Sequence, residues 1–202
     1  MNMKELDIYS DYLSNASICL LGCGPSLEYN LSHISDTDIV IGINRIYQTK
    51  LIDRLNILYH NGAGKGCSLK NTLITKSPHQ LKHIVYIPSI DYTDTVIVEK
   101  HRSRFVYNKI DGYNFINHLD FAYKEKNKYG VNLLTGISTL SHIIYYSKNS
   151  YRQIKILGFD FYRNAAHTYC YGLQQFKQTH DTESNKKVFD EIVNQNDKII
   201  IY

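Results

Sequence analysis

The stretch Leu20-Leu21-Gly22-Cys23-Gly24-Pro25-Ser26-Leu27 constrains this chain more than any other. An apolar run over 18–21 stops at two glycines one residue apart, then meets proline, serine and a fresh apolar residue. A buried strand that turns at once into a helix has this pattern. The glycines reach backbone angles closed to residues with a Cβ, and Pro25 suits a first helical turn. Amides at such a helix start attract anions, and the missing Cβ atoms let a ligand approach the main chain. Similar turns also serve only to close a strand-helix unit, so this one by itself decides nothing about ligands.

The other apolar runs are short and regularly punctuated. They predict strands over 17–21, 38–43, 55–59, 83–87, 153–157 and 198–202, with a further one at 95–98 or 105–107. Between them the spacing predicts helices over 4–13, 25–33 and 45–52, one from Thr135-Gly136 to about 148, and one from Asp181 to about 193. Near-continuous apolar strands are buried on both faces, which is the habit of parallel sheets. Strands alternating with helices imply an α/β fold with a Rossmann-like, doubly wound, mostly parallel sheet. Residues 89–129 give no clear period, and 163–179 is polar, aromatic and aperiodic, as a short lid over a site would be. With 202 residues, 43% of them hydrophobic, and no repeat or linker, the expectation is a single domain over 1–202.

Charge and cysteine content exclude several classes. Lys+Arg 23 against Asp+Glu 19 are spread along the chain rather than gathered into a basic stripe, so no nucleic-acid partner is expected. The cysteines Cys19, Cys23, Cys67 and Cys170 show no C-x-x-C pairing and lie in or near apolar segments, against both a zinc site and a disulfide framework. No apolar leader opens the sequence and no apolar run could cross a bilayer, which predicts a cytoplasmic protein or one peripheral to the inner membrane. Asp36-Thr37-Asp38 has the D-x-D form that holds a metal in many nucleotide-sugar transferases, but it precedes its strand and belongs to the opposite rim of the sheet. His79 and His83 stand four apart without an acidic partner and read as surface residues. Gly62-Ala63-Gly64-Lys65-Gly66 lacks the P-loop spacing.

Ligands of open parallel sheets bind outside the carboxyl ends of the strands. The residues expected there are Gly22, Cys23 and Gly24 with Pro25 and Ser26 behind them, then Asn44, Asn61 and Asp160. Thr135-Gly136 opens a helix and makes a second anion-friendly start. His180 adjoins the start of the last helix, where the dipole disfavours imidazolium and keeps a general base neutral. The segment before it holds Tyr162, Tyr169 and Tyr171, whose hydroxyls can donate to a phosphate without a cation.

The order Gly-x-Gly-Pro-Ser-Leu, Asn after the second strand, Thr-Gly opening a helix, Gly-x-Asp-Phe-Tyr after a strand, and His before the last helix resembles the bacterial sialyltransferases of glycosyltransferase family 42, typified by the Campylobacter lipo-oligosaccharide enzymes. The likeness runs over 18–193 and is most specific at 22–27 and 158–162. It implies a GT-A variant fold and a metal-independent, inverting transfer from CMP-sialic acid to a hydroxyl of a cell-surface glycan, with no cofactor. By position His180 would be the catalytic base, and Tyr162 and Tyr169 would stabilise the departing phosphate. Gly22 to Ser26, Asn44, Asn61, Thr135, Gly136 and Asp160 would form the donor-nucleotide site. The family also makes a homo-oligomer an expectation. Departures are Cys23 where an Asn is common, Asn132 where an Arg is frequent, and a shorter lid. An MptE-like pyrophosphokinase or motility-associated glycosylation protein shares the glycine turn, but the pyrophosphokinase should need Mg²⁺ and acidic ligands at the strand ends, where only Asp160 qualifies. A nucleotide-sugar-binding protein without turnover is the other alternative.

Overall fold

The computed structural model describes residues 3–60, 76, 78–87, 113–117, 119–161, 170 and 181–202. Seven strands form one sheet: β1 Ser17–Leu21, β2 Ile39–Ile43, β3 Ile57–His60, β4 His83–Tyr86, β5 Asn114–Asn117, β6 Gln153–Leu157 and β7 Ile199–Ile201. Their order is β5-β4-β3-β2-β1-β6-β7, and every pairing is parallel. β1, β3 and β4 are buried along their whole length, and all but Ser17, His60 and His83 at their ends are apolar or aromatic. The α/β, Rossmann-like sheet expected from the alternation is therefore present.

The order carries the functional geometry. The chain steps outward from β1 to β5, returns to lay β6 on the other side of β1, and ends at β7. Right-handed crossovers place the first set of connections on one face and the later set on the other. The direction reverses between β1 and β6, and a crevice opens at such a switch point beyond the carboxyl ends of the two strands. The glycine turn leaves β1 at that place.

Helices α1 Met3–Leu13, α2 Leu119–Tyr129, α3 Thr135–Tyr146 and α4 Thr182–Asn194 accompany the sheet. α3 packs on β2 and β3 and is flanked by α1, α2 and α4. Under it lies a buried polar contact: the Tyr59 hydroxyl meets His142 Nδ1 at 2.6 Å and also pairs with the Tyr9 hydroxyl. Burial pushes both phenols above their ordinary range, so they stay protonated and act as hydrogen-bonding groups.

Several expectations need correction. The helices expected over 25–33 and 45–52 are broken 3₁₀ turns, Pro25–Tyr29, Leu31–His33, Asn44–Gln48 and Lys50–Arg54, interrupted at Asn30 and Thr49, whose side chains bond the neighbouring main chain. β5 and α2 lie in the stretch that gave no period, and the strand expected at 95–98 or 105–107 falls outside the described residues. His79 is exposed as expected, but His83 is buried as the first residue of β4, with its ring against Tyr9 and Tyr12 of α1. Asp38 closes the amino rim, where its carboxylate takes hydrogen bonds from the Ser17 hydroxyl and the Ser35 amide and pairs with Lys155 at 2.9 Å.

Candidate active site

At the switch point the loops after β1 and β6 are joined through their main chains. The register that pairs Leu21 with Leu157 continues past the strand ends. The Gly22 amide donates to the Leu157 carbonyl at 2.7 Å, and the Gly24 amide donates to the Gly158 carbonyl at 2.8 Å. The approach is too close for side chains. A Cβ on Gly22 would lie 2.2 Å from the Gly158 oxygen, and one on Gly24 would lie 2.1 Å from an Asp160 carboxylate oxygen. Gly158 itself has φ +75°, a left-handed value that glycine accepts without strain. The glycines thus have a physical cause within the chain: they let two strand-end loops meet.

Asp160 completes that junction. The 3₁₀ turn Pro25–Tyr29 follows Gly24, which has no side chain to cap it. The Asp160 carboxylate supplies the cap from the neighbouring loop by accepting the Ser26 amide at 2.9 Å. One amide at this helix start is therefore held by the protein's own carboxylate.

Cys23 ties β1 to β2. Its thiol donates to the Ile43 carbonyl at 3.4 Å, and burial pushes it up to about 12, while the Arg45 and Ile46 amides nearby offset part of the rise. It is a protonated, tethering thiol. The Cys23 carbonyl accepts the amide of Cys170, another buried thiol raised by burial. Cys19, Cys23 and Cys170 are all free. Asn44, the next residue after β2, adopts φ +47°, a left-handed conformation that Asn tolerates better than most side chains.

Phe159 brings the third element in. A Cβ on Gly136, in the first turn of α3, would lie 2.8 Å from the Phe159 ring and 3.1 Å from Ile43 Cδ1. The same ring lies 2.7 Å from the Cβ position of Gly22. Gly22, Cys23, Gly24, Ser26, Gly136 and Asp160 are thereby brought into one patch, with Asn44 at its β2 border and Thr135 beside Gly136. Asn61, Tyr162, Tyr169, Tyr171 and His180 lie outside the described residues, as does most of the lid. Phe161, immediately before Tyr162, has φ +47° and packs its ring edge-on to Phe189 of α4 at 5.0 Å. So bulky a residue in that conformation is a local strain of the kind found at functional sites.

Sequence reasoning missed three residues here. Phe159 fills the space between the glycine turn and α3. His60, the last residue of β3, is buried against Tyr47, and burial lowers it to about 4, so a neutral imidazole stands at the carboxyl rim. Asn185 of α4 is buried and bonded to the segment that opens α3. An Asn four residues after a helix-capping Asp was the available signal for it. Among the described residues no group of three acidic, His or Cys side chains could hold a metal ion, and no helix is long and apolar enough to cross a membrane.

No family model matches the sequence, and no curated protein matches it either. The fold does have a solved counterpart. A crystal structure of the sialyltransferase CST-II in complex with trisaccharide acceptor and CMP superposes with a TM-score of 0.61 at 14% identity, covering 92% of this chain and 80% of that chain. At that identity the likeness establishes a sialyltransferase-like α/β fold.

Proposed function

We propose that this protein is a glycosyltransferase that moves a sialic acid, or a related nonulosonic acid, from its CMP-activated form to a hydroxyl of a glycan acceptor. The observation that carries the reading is the switch point. Gly22 to Ser26, Asp160 and the first turn of α3 meet there, on a fold shared with a sialyltransferase solved with CMP and a trisaccharide acceptor. α3 is a full-length helix whose N-terminus faces this crevice through Gly136 and Phe159, and a helix start of that kind favours a phosphate.

The residues divide the reaction as follows. His180 accepts the proton of the acceptor hydroxyl as its oxygen attacks the anomeric carbon of the donor sugar. The bond from that carbon to the phosphate oxygen breaks, CMP departs with the electron pair, and configuration inverts. Tyr162 and Tyr169 donate hydrogen bonds to the departing phosphate. A nucleoside monophosphate carries less charge than a diphosphate, so hydroxyl donors and a helix dipole suffice and no metal is needed. Gly22 to Ser26, Asn44, Asn61, Thr135-Gly136 and Asp160 bind the donor nucleotide.

Calorimetric titration with CMP, UDP, GDP and ATP tests the donor assignment. CMP is expected to bind and to release no heat beyond dilution in a heat-unfolded control. Binding of GDP or ATP in preference to CMP would contradict the assignment.

A further inference from the structure

We propose that Asn185 is a positioning residue for the transfer: its carboxamide holds the start of α4, one peptide bond from the proposed base His180, against the segment that opens α3 at the proposed donor site. This inference rests on the function proposed above and assigns what fixes its two halves relative to each other.

Three hydrogen bonds from one side chain carry it. Asn185 Oδ1 accepts the Leu134 amide at 2.7 Å, while Nδ2 donates to the Asn132 carbonyl at 3.0 Å and to the Asp181 carbonyl at 2.9 Å. Both amide hydrogens are used, and the residue is 1% exposed. Leu134 is the N-cap of α3 and has no polar side chain to serve that helix, so Asn185 engages the start of α3 from the neighbouring helix. On its other side Asp181 is held twice over. Its carboxylate accepts the Ser184 amide at 3.0 Å, and its carbonyl takes both the side-chain and main-chain N–H of Asn185.

Asn is a poor residue inside a helix, so its place in α4 is accounted for by the groups it serves across the gap, the Leu134 amide and the Asn132 carbonyl. What the Asn supplies is a fixed separation between Asn132–Leu134 and Asp181. Thr135-Gly136 follows the first directly, and His180 precedes the second. Misplacing a base by about 1 Å can cost on the order of 100-fold in rate.

The substitutions grade this tie. Asn185→Asp keeps the acceptor for the Leu134 amide and turns an oxygen toward the Asn132 and Asp181 carbonyls, so one of the two bonds to the α3 segment is kept and the other is lost together with the side-chain bond to Asp181. Asn185→Ala removes all three. With the full chain, CMP-Neu5Ac and a galactose-terminated acceptor, Asn185→Asp is expected to lower kcat about 10- to 100-fold with donor KM within about threefold. Asn185→Ala is expected to lower kcat similarly and also to raise donor KM. Combined with His180→Ala, Asn185→Asp is expected to cost nothing further, because both act through one group. Circular dichroism melting and a CMP titration establish that each variant is folded. A folded Asn185→Asp with wild-type kcat, or one that multiplies the His180→Ala loss in full, overturns the proposal. Failure of both variants to fold also overturns it, since Asn185 would then serve stability. An inactive His180→Ala beside an active Asn185→Asp removes only the positioning role. An active His180→Ala removes the assigned base and the positioning role together.

Discussion

The two rims of the sheet solve opposite problems. At the amino rim Asp38 is buried with an ion pair to Lys155, a hydroxyl from Ser17 and the Ser35 amide, and Lys155 also donates to the His33 carbonyl. Charge is cancelled there by side chains, within the protein. At the carboxyl rim the corresponding carboxylate, Asp160, meets a main-chain amide, and the surrounding residues are glycines whose Cβ positions are already filled. The first rim is limited by charge and the second by space. A closed charge network suits a structural joint. At the carboxyl rim the amides of Gly22, Gly24 and Ser26 are taken by the chain itself, and the start of α3 beside them is the place proposed for the phosphate.

Adding a methyl group should therefore break the carboxyl rim, and removing a charge should break the amino rim. Gly22→Ala is expected to have the largest effect, at least about 4 kcal/mol, because its Cβ would strike a carbonyl that cannot swing aside. Chemical denaturation of a purified variant would measure this, and a loss below 1 kcal/mol, on the order of a surface change, would contradict the packing described. Lys155→Met comes next at about 3 kcal/mol, since it leaves Asp38 buried beside only its hydroxyl and amide partners.

The same pair predicts a pH dependence. Burial alone would raise Asp38, but Ser17, the Ser35 amide and Lys155 together bring it below the ordinary carboxylate value. A group depressed in the folded state contributes stability that is complete above its unfolded pKa, about 3.9, and is lost as pH falls through the folded value. Wild-type protein should lose stability across that acid window, and Lys155→Met should show a flatter slope there. Identical slopes in acid denaturation would exclude the pair as the cause. The smallest effects belong to Asp160. Asp160→Ala should cost about 1 kcal/mol through loss of the cap, and Asp160→Asn less than about 0.5 kcal/mol because it keeps an acceptor for Ser26. Equal losses in melting experiments would show that the cap is not what Asp160 contributes.

The strands around the switch point were legible because parallel strands buried on both faces are apolar, as 18–21 and 39–43 are, while 153–157 alternates Gln153 and Lys155 with buried isoleucines before ending on Leu157. β5 was not, since Asn114-Phe115-Ile116-Asn117 at a sheet edge offers only two apolar residues. α2 was hidden by its polar, tyrosine- and lysine-rich composition. The glycine turn was located correctly, but its cause was not visible: the groups that exclude a Cβ belong to Gly158, Phe159 and Asp160, well over a hundred residues away in sequence. Asp160 was placed at the correct strand end without its capping role for Ser26. His83 was misread because two tyrosines of α1 cover it, and no local spacing reports such a contact.

The most direct test of the central claim is transfer itself. The protein is incubated with CMP-Neu5Ac and galactose-terminated acceptors in the presence of EDTA, and sialylated product and free CMP are quantified beside His180→Ala. The proposed function predicts acceptor-dependent CMP release with product in equal amount, undiminished by EDTA and reduced by about 100-fold or more in the variant. No product with any acceptor despite CMP binding, or full activity in His180→Ala, would contradict it.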